Sequence, residues 1–380
     1  MIKSYFMTQV RFDFGAVELL GKELRTLGIK RPLLVTDPGL VATGLAARVM
    51  ALMPAGSAMF SDLPANPTWE NVDAASALYQ ASGCDGLVAL GGGSAMDLAK
   101  GAAVMTTHEG LLRDYDITRV IRKEGRLVTA AAAPIIAIPT SAGTGSEVAT
   151  TAVFIVGPGE KILLINNNLL PKVTLADPEL TLSLPRSLTA GTGMDALSHC
   201  LEGVFSSNEN PPAKAVGFDG LTRIFANLRQ AYHEPDNRQA RREMMMGALE
   251  GGMTMLNGCG AMHAMSHALG GLHQLNLHHG TLNAVLMPAV LAFNRPHAPQ
   301  IFERMRSSFG LTGAADPIDA IRALNRDLQI PQGLAADLLP RHIGRRCAFG
   351  RQVGIRARID RFQQRDKIGF DAHAFVTSST

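Results

Sequence analysis

Apolar residues in the first half of the chain fall in short unbroken runs. PLLVT (32–36), LVAL (87–90) and IIAIP (135–139) are each bounded by turn residues, the pattern of strands buried on both faces of a parallel sheet. Between the first two, PTWENVDAASALYQASG (67–83) carries Pro near its start and Gly at its end, and predicts a helix. AVFIV and KILLIN flank GPGE and predict a hairpin over 152–166. Strand alternating with helix predicts an open parallel sheet with right-handed crossovers.

After VTLADPELTLSLP (173–185) the pattern changes. Helical stretches are predicted over 187–205, 211–230, 236–257, 261–270, 281–294 and 315–328, with almost no β-rich run among them. A chain of 380 residues is long for one core. The expected organisation is an α/β domain over 1–182, an all-helical domain over 183–340 and an atypical Arg-rich tail over 341–380.

Charge sharpens that last boundary. The chain carries a net charge of +3, yet residues 341–367 hold eight Arg and Lys367 against Asp360 and Asp366. Without them, 27 basic residues face 31 acidic ones. The basic excess belongs to the tail, so no nucleic-acid partner is expected. No apolar run reaches membrane-spanning length, and MIKSYFMTQVRFDFG lacks the apolar core of a signal peptide, so a cytoplasmic protein without a membrane partner is expected. Cys84, Cys200, Cys259 and Cys347 are scattered, which fits reduced thiols and neither a disulfide frame nor a zinc ribbon.

Two glycine-rich segments follow predicted strands and open helices: LVALGGGSAMDLAK (87–100) and AIPTSAGTGSEVA (137–149). Glycine lets backbone N–H groups approach a ligand, and a helix N-terminus adds partial positive charge, so both suit a pyrophosphate. Neither has the G-x-G-x-x-G spacing, and each also suits a tight turn. Asp37, directly after the first strand, could accept from a ribose and repel a 2′-phosphate, or equally cap a helix before Pro38.

Five of the eleven His lie in HAMSHALGGLHQLNLHHG (263–280). His263 and His267 are four apart and share a helix face; Asp195 and His199 in GTGMDALSHC do the same. Asp195, His199 and two of the clustered His would make a mixed O/N site for Fe2+ or Zn2+. His108, His233, His297, His342 and His373 read as ordinary core or surface residues.

GGGSAMDLAK, IPTSAGTGSEV, GMDALSHCLEG and HAMSHALGG…HHGTLNAVLMPAVLAFN, in this order, resemble the iron-containing alcohol dehydrogenases over about residues 10–335. The resemblance implies a Rossmann-like nucleotide-binding α/β domain followed by an all-α domain, a dehydroquinate synthase-like architecture with the active site in the cleft between them. It implies Asp195, His199, His263 and His279 as metal ligands and His267 as the further active-site histidine. Asp37, Asn66, Gly92, Gly93, Ser94, Asp97, Thr140, Ser141, Thr144 and Lys161 match positions around NAD. The interval from His263 to His279 is two residues longer than the family pattern, and His278 replaces its usual proline, so His278 and His279 both face the test of which one ligates; the His279-Gly280 pair is what matches. The likeness stops near LPRHIGRRC, where the family's C-terminal His and Thr-Asn-Pro motif give way to the Arg-rich tail.

The implied activity is that of a metal-dependent, NAD-linked alcohol dehydrogenase or carbonyl reductase, passing hydride between a metal-bound alkoxide and nicotinamide. The expected cofactors are NAD and Fe2+, with Zn2+ as the alternative ion. The expected partner is a small alcohol or aldehyde, and the expected assembly is a homodimer or larger homo-oligomer. Alternatives are a polyol or 4-hydroxybutyrate-type dehydrogenase, for which LHHGTLNAV gives slight support, a dehydroquinate synthase-like lyase, a metallohydrolase, and a non-catalytic homologue with a divergent C-terminus.

Overall fold

The computed structural model describes residues 8–157, 160–270 and 277–334. The tail over 341–380, His273 and the middle of the Gly-Pro-Gly turn lie outside them. The chain divides into two compact units, one ending at Leu184 and the other beginning at Pro185.

In the first unit, β1 (Gln9–Phe12), β2 (Pro32–Val35), β3 (Ala58–Phe60), β4 (Gly86–Gly91), β5 (Ile135–Pro139) and β8 (Val173–Ala176) form a parallel sheet in the order β1-β8-β5-β4-β2-β3. The remaining pair, β6 (Thr151–Gly157) and β7 (Glu160–Ile165), is the antiparallel hairpin expected from the sequence. Every residue of β2, β4, β5 and β8 is buried, because helices cover both faces. Alternate strand residues accordingly feed two cores. Leu34, Val88, Ile136 and Leu175 pack with Leu20 and Leu24 of α1 (Leu20–Thr26) on one face. The short helices α2 (Pro38–Ala42) and α3 (Leu45–Met50) follow β2, and Ala46 and Val49 join that core. Leu33, Leu87, Ala89 and Ala137 pack on the other with α4 (Trp69–Ala81) and α5 (Gly93–Met105). Thr68 and Asn71 start α4 with a reciprocal capping box. The short α6 (Ile117–Ile121) lies against β7. Because β3 flanks β2 on one side and β4 on the other, the topology reverses between β2 and β4; crevices at such points, outside the carboxyl ends of the strands, are where open α/β sheets bind ligands.

The second unit is helical throughout its described residues. Its central element is α7 (Arg186–Phe205), buried almost continuously from Thr189 to Phe205. A helix buried all round reads as apolar on every face, which is why a charged pair on it stands out. It packs against α8 (Pro211–His233), α9 (Arg238–Thr254) and α11 (His279–Asn294), while α10 (Ala261–Gly270) packs on α11. α12 (Pro299–Ser308) and α13 (Pro317–Asp327) complete it. The sequence pattern missed α12, whose ten residues bury only Phe302 and Met305, and it missed β1 and β3, of three or four residues at the sheet edges. No helix of the described residues is long and apolar enough to cross a membrane.

Candidate cofactor loops and metal centre

The carboxyl ends of β2, β4 and β5 stand side by side, and each carries one group of residues singled out from the sequence. Asp37 follows β2. Its Oδ1 accepts from Leu40 N at 3.0 Å and caps α2, so the capping role holds. Its Oδ2 lies 3.6 Å from where a side chain on Gly91 would begin, which puts the second oxygen beside the first glycine loop. Gly91 takes φ +150, a conformation side chains resist, and a Cβ there would sit 2.8 Å from Ala95 Cβ.

Gly92 precedes α5 and provides no side-chain cap, leaving the first turn of that 13-residue helix to offer backbone N–H groups. Opposite stands the loop after β5: Thr140 N donates to Gly91 O at 3.0 Å, and a Cβ on Gly93 would meet Thr144 Cγ2 at 2.9 Å. A Cβ on Gly92 would meet Ser141 Oγ at 3.3 Å. The two loops therefore form one narrow cradle that side chains would fill. Ser94 Oγ donates to Ala65 O, which ties the Asn66 segment to the same cradle. The cradle fits a dinucleotide pyrophosphate.

Asp97 and Lys161 are placed differently. Asp97 accepts from Ser146 Oγ at 2.8 Å and Val153 N at 3.0 Å, so both its oxygens are used inside the fold, holding the second loop and the hairpin. Lys161 sits on β7 opposite Ile155, where burial lowers its pKa. Beneath the second loop lies Lys100, which the sequence reading missed. Its Nζ is fully buried and donates to Ser146 O, Ser146 Oγ, Ala149 O and Thr151 O at 2.7–2.9 Å. Burial pulls it down to about 8, against the charges of Asp97 and Glu147.

In the helical unit, Asp195, His263 and His279 place one donor atom each within 4.8 Å of one another. Asp195 Oδ1 is 3.8 Å from His263 Nε2 and 3.7 Å from His279 Nε2. Burial alone would push the Asp195 carboxyl up, but His199, His279, His263 and a hydrogen bond from Asn283 hold it well below the usual carboxylate range. His199 lies one turn along α7, its ring stacked on His263 with centroids 4.6 Å apart. His267 reaches the same group from α10, 4.8 Å from His279 between ring centroids.

Two residues that the sequence reading passed over organise this cluster. Glu202 is on the same face of α7 as Asp195 and His199, at i+7 and i+3, and that spacing was the available signal. His263 Nδ1 donates to Glu202 Oε2 at 2.6 Å, so the other ring nitrogen, Nε2, faces Asp195 and His279. Asn283 is one turn beyond His279 on α11. Its Nδ2 donates to Asp195 Oδ1 at 2.8 Å and stands 3.2 Å from His263 Nε2 and 3.3 Å from His279 Nε2. Three acceptors thus converge on an amide with two protons, and among the described residues the buried Asn283 Oδ1 has no hydrogen-bond partner. One carboxylate and two imidazoles converging on a point short of positive charge fit a divalent cation.

The adjacent His278 turns elsewhere. Its Nδ1 accepts from Thr281 N at 3.3 Å and caps α11, with the ring against Gly191. It is exposed, and among the described residues it is not part of the donor cluster. The structure also brings in a cysteine: Cys259, with His199 and His263, forms a second group of donor atoms within 4.8 Å.

Residues 7–178 match the family model for iron-containing alcohol dehydrogenase, and residues 189–339 match that for the C-terminal part of the same family. The chain is 46% identical over 339 residues to a 4-hydroxybutyrate dehydrogenase from Cupriavidus necator, covering 87% of this chain and 88% of the relative. Among solved structures, a sulfoacetaldehyde reductase from Bifidobacterium kashiwanohense in complex with NAD+ superposes with a TM-score of 0.81 at 29% identity, covering 93% of each chain. A 1,3-propanediol oxidoreductase superposes with the same TM-score at 34% identity, covering 88% of this chain and 89% of that one.

Proposed function

Because the chain belongs to the iron-containing alcohol dehydrogenases, an oxidoreductase family acting on alcohol groups, we propose that it transfers hydride between the carbinol carbon of a short alcohol and NAD in the cytoplasm. The observation that carries the reading is the cluster of buried Asp195 and His263 with half-buried His279 around a point that wants positive charge.

Asp195, His263 and His279, with His199 as the fourth family-matched donor, would hold Fe2+ or, as the alternative, Zn2+. Such an ion supplies Lewis acidity, lowering the pKa of an alcohol and polarising a carbonyl. NAD supplies the hydride acceptor. The chain's own residues do the rest. Asp195 stays ionised and gives the cluster its negative charge. Glu202 fixes the tautomer and direction of His263. His267, its ring centroid 4.8 Å from that of His279, holds or passes a proton at a ring nitrogen in this reading. In the other unit, Gly92, Gly93, Ser94, Thr140, Ser141 and Thr144 line the pyrophosphate cradle, with Asn66 beside it, and Asp37 supplies a carboxylate that favours a free ribose over a 2′-phosphate. Asp97 and Lys100 hold the second loop in place.

For the substrate, the likeness to the 4-hydroxybutyrate dehydrogenase supports a short hydroxy acid of that type. The test is a panel of ethanol, 1,3-propanediol and 4-hydroxybutyrate with NAD and Fe2+, followed by NADH absorbance. The expected result is turnover with kcat/KM highest for 4-hydroxybutyrate. Binding of NAD and metal without turnover of any alcohol would favour a non-catalytic homologue instead.

A further inference from the structure

The second donor group invites its own reading. Cys259 lies in NGCGAMH, between a 3-10 turn ending at Asn257 and the start of α10. Gly258 takes φ +85, a conformation that side chains resist. The segment is clamped on both sides of the thiol. Before it, Ser206 Oγ donates to Asn257 O at 2.7 Å, and Asn257 Nδ2 donates to Gly203 O at 3.1 Å. After it, Gly260 N and Met262 N donate to the two Glu202 oxygens at 2.7 and 2.6 Å. The half-buried thiol of Cys259 is thus fixed beside the buried rings of His199 and His263.

We propose that His199, Cys259 and His263 form a second, sulfur-containing metal seat that takes a thiophilic divalent cation of the Zn2+ class. Thiolate with imidazole suits such ions, whereas the carboxylate-containing seat of Asp195, His263 and His279 suits Fe2+. On binding, the Cys259 S–H bond breaks, a sulfur–metal bond forms and the proton passes to solvent. His263 belongs to both seats. Its Nδ1 is taken by Glu202, so it has one ring nitrogen to give and can serve one ion at a time. The seats are therefore exclusive, and an ion in the sulfur seat removes His263 from the oxygen-containing one. The proposal rests on the functional reading above and shares His199 and His263 with it, but sulfur ligation is read spectroscopically, without turnover.

The full chain, stripped of metal, is titrated with Co2+ and its absorption recorded; in parallel, Zn2+ and Fe2+ affinities are measured by competition with a chelating dye. The expected result is a near-ultraviolet sulfur-to-cobalt charge-transfer band that disappears in Cys259→Ser and in Cys259→Ala and persists in Asp195→Asn. Zn2+ affinity should fall at least about tenfold in either cysteine variant, a loss no smaller than that from weakening an outer-shell partner, while Fe2+ affinity holds. A cobalt complex of the wild-type protein without the sulfur band overturns the proposal, and needs no variant to fold. A band lost equally in Asp195→Asn, with that variant folded by circular dichroism, overturns the separate seat. Absence of alcohol turnover with the sulfur band present would count against the functional reading alone.

Discussion

Gly280 offers the sharpest test of how the metal cluster is assembled. A Cβ built on it would lie 2.1 Å from Gly191 O, 2.8 Å from Gly191 C and 3.0 Å from Asp195 Cβ. A close carbon–oxygen contact is about 3.3 Å, so Gly280→Ala forces α11 away from α7 by roughly 1 Å. The obstruction is backbone, which no rotamer change relieves. In an unobstructed helix the same substitution would stabilise by up to about 1 kcal/mol, so the sign of the effect is itself diagnostic. Overpacking costs typically about 1–3 kcal/mol, and a backbone collision belongs at the upper end. About 3 kcal/mol corresponds to a fall of roughly 6–12 °C in Tm for a unit of this size. His279 is the neighbouring residue and moves with the helix, so its separation from Asp195 grows and metal affinity falls with stability. Thermal melting by circular dichroism and Co2+ titration read the two effects. Gly333→Ala, where nothing lies within 4 Å, serves as the control. A Gly280→Ala protein that melts within about 2 °C of wild type and binds Co2+ equally would refute the close-packing account.

Other outcomes follow from the same geometry. Asp37→Ser keeps an N-cap for α2 and so costs only a few tenths of a kcal/mol, but removes the carboxylate beside Gly91; NADP use, read as kcat/KM, should rise relative to NAD. Lys100→Met leaves Ser146, Ala149 and Thr151 carbonyls and Asp97 without their buried cation, a loss of about 3–5 kcal/mol seen in denaturant melts, with weaker NAD binding by fluorescence titration. Glu202→Gln puts an amide where three donors now converge and should lower metal affinity about 10–100-fold, measured by chelator competition. Glu250 is pushed up from 4.5 to about 8 by burial and by Asp219. A raised folded pKa means its contribution is full below 4.5 and is lost as pH climbs toward about 8, so Glu250→Gln should flatten the decline in Tm over that window.

What the sequence made legible follows from which interactions are local. The runs at 32–36, 87–90 and 135–139 were readable because helices cover both faces of those strands, leaving no polar alternation to confuse them. Ala58–Phe60 was not, since three residues at a sheet edge need bury only one side chain. Asp195 and His199 declared themselves because they break the apolar surface of a helix buried on every side; Glu202 continues their face and was readable on the same ground. Asn283 and Cys259 carried no such mark. Asn283 meets Asp195 across 88 residues, and Cys259 meets His199 through a turn that only its clamps define. His-His-Gly at 278–280 is where local and tertiary demands coincide. His278 caps the helix that His279 begins, His279 faces the carboxylate, and Gly280 lets the helix come close enough for that facing to matter. The order is fixed: moving the glycine one position would put a Cβ into Gly191, and the two histidines cannot trade roles because each ring leaves the backbone in a different direction.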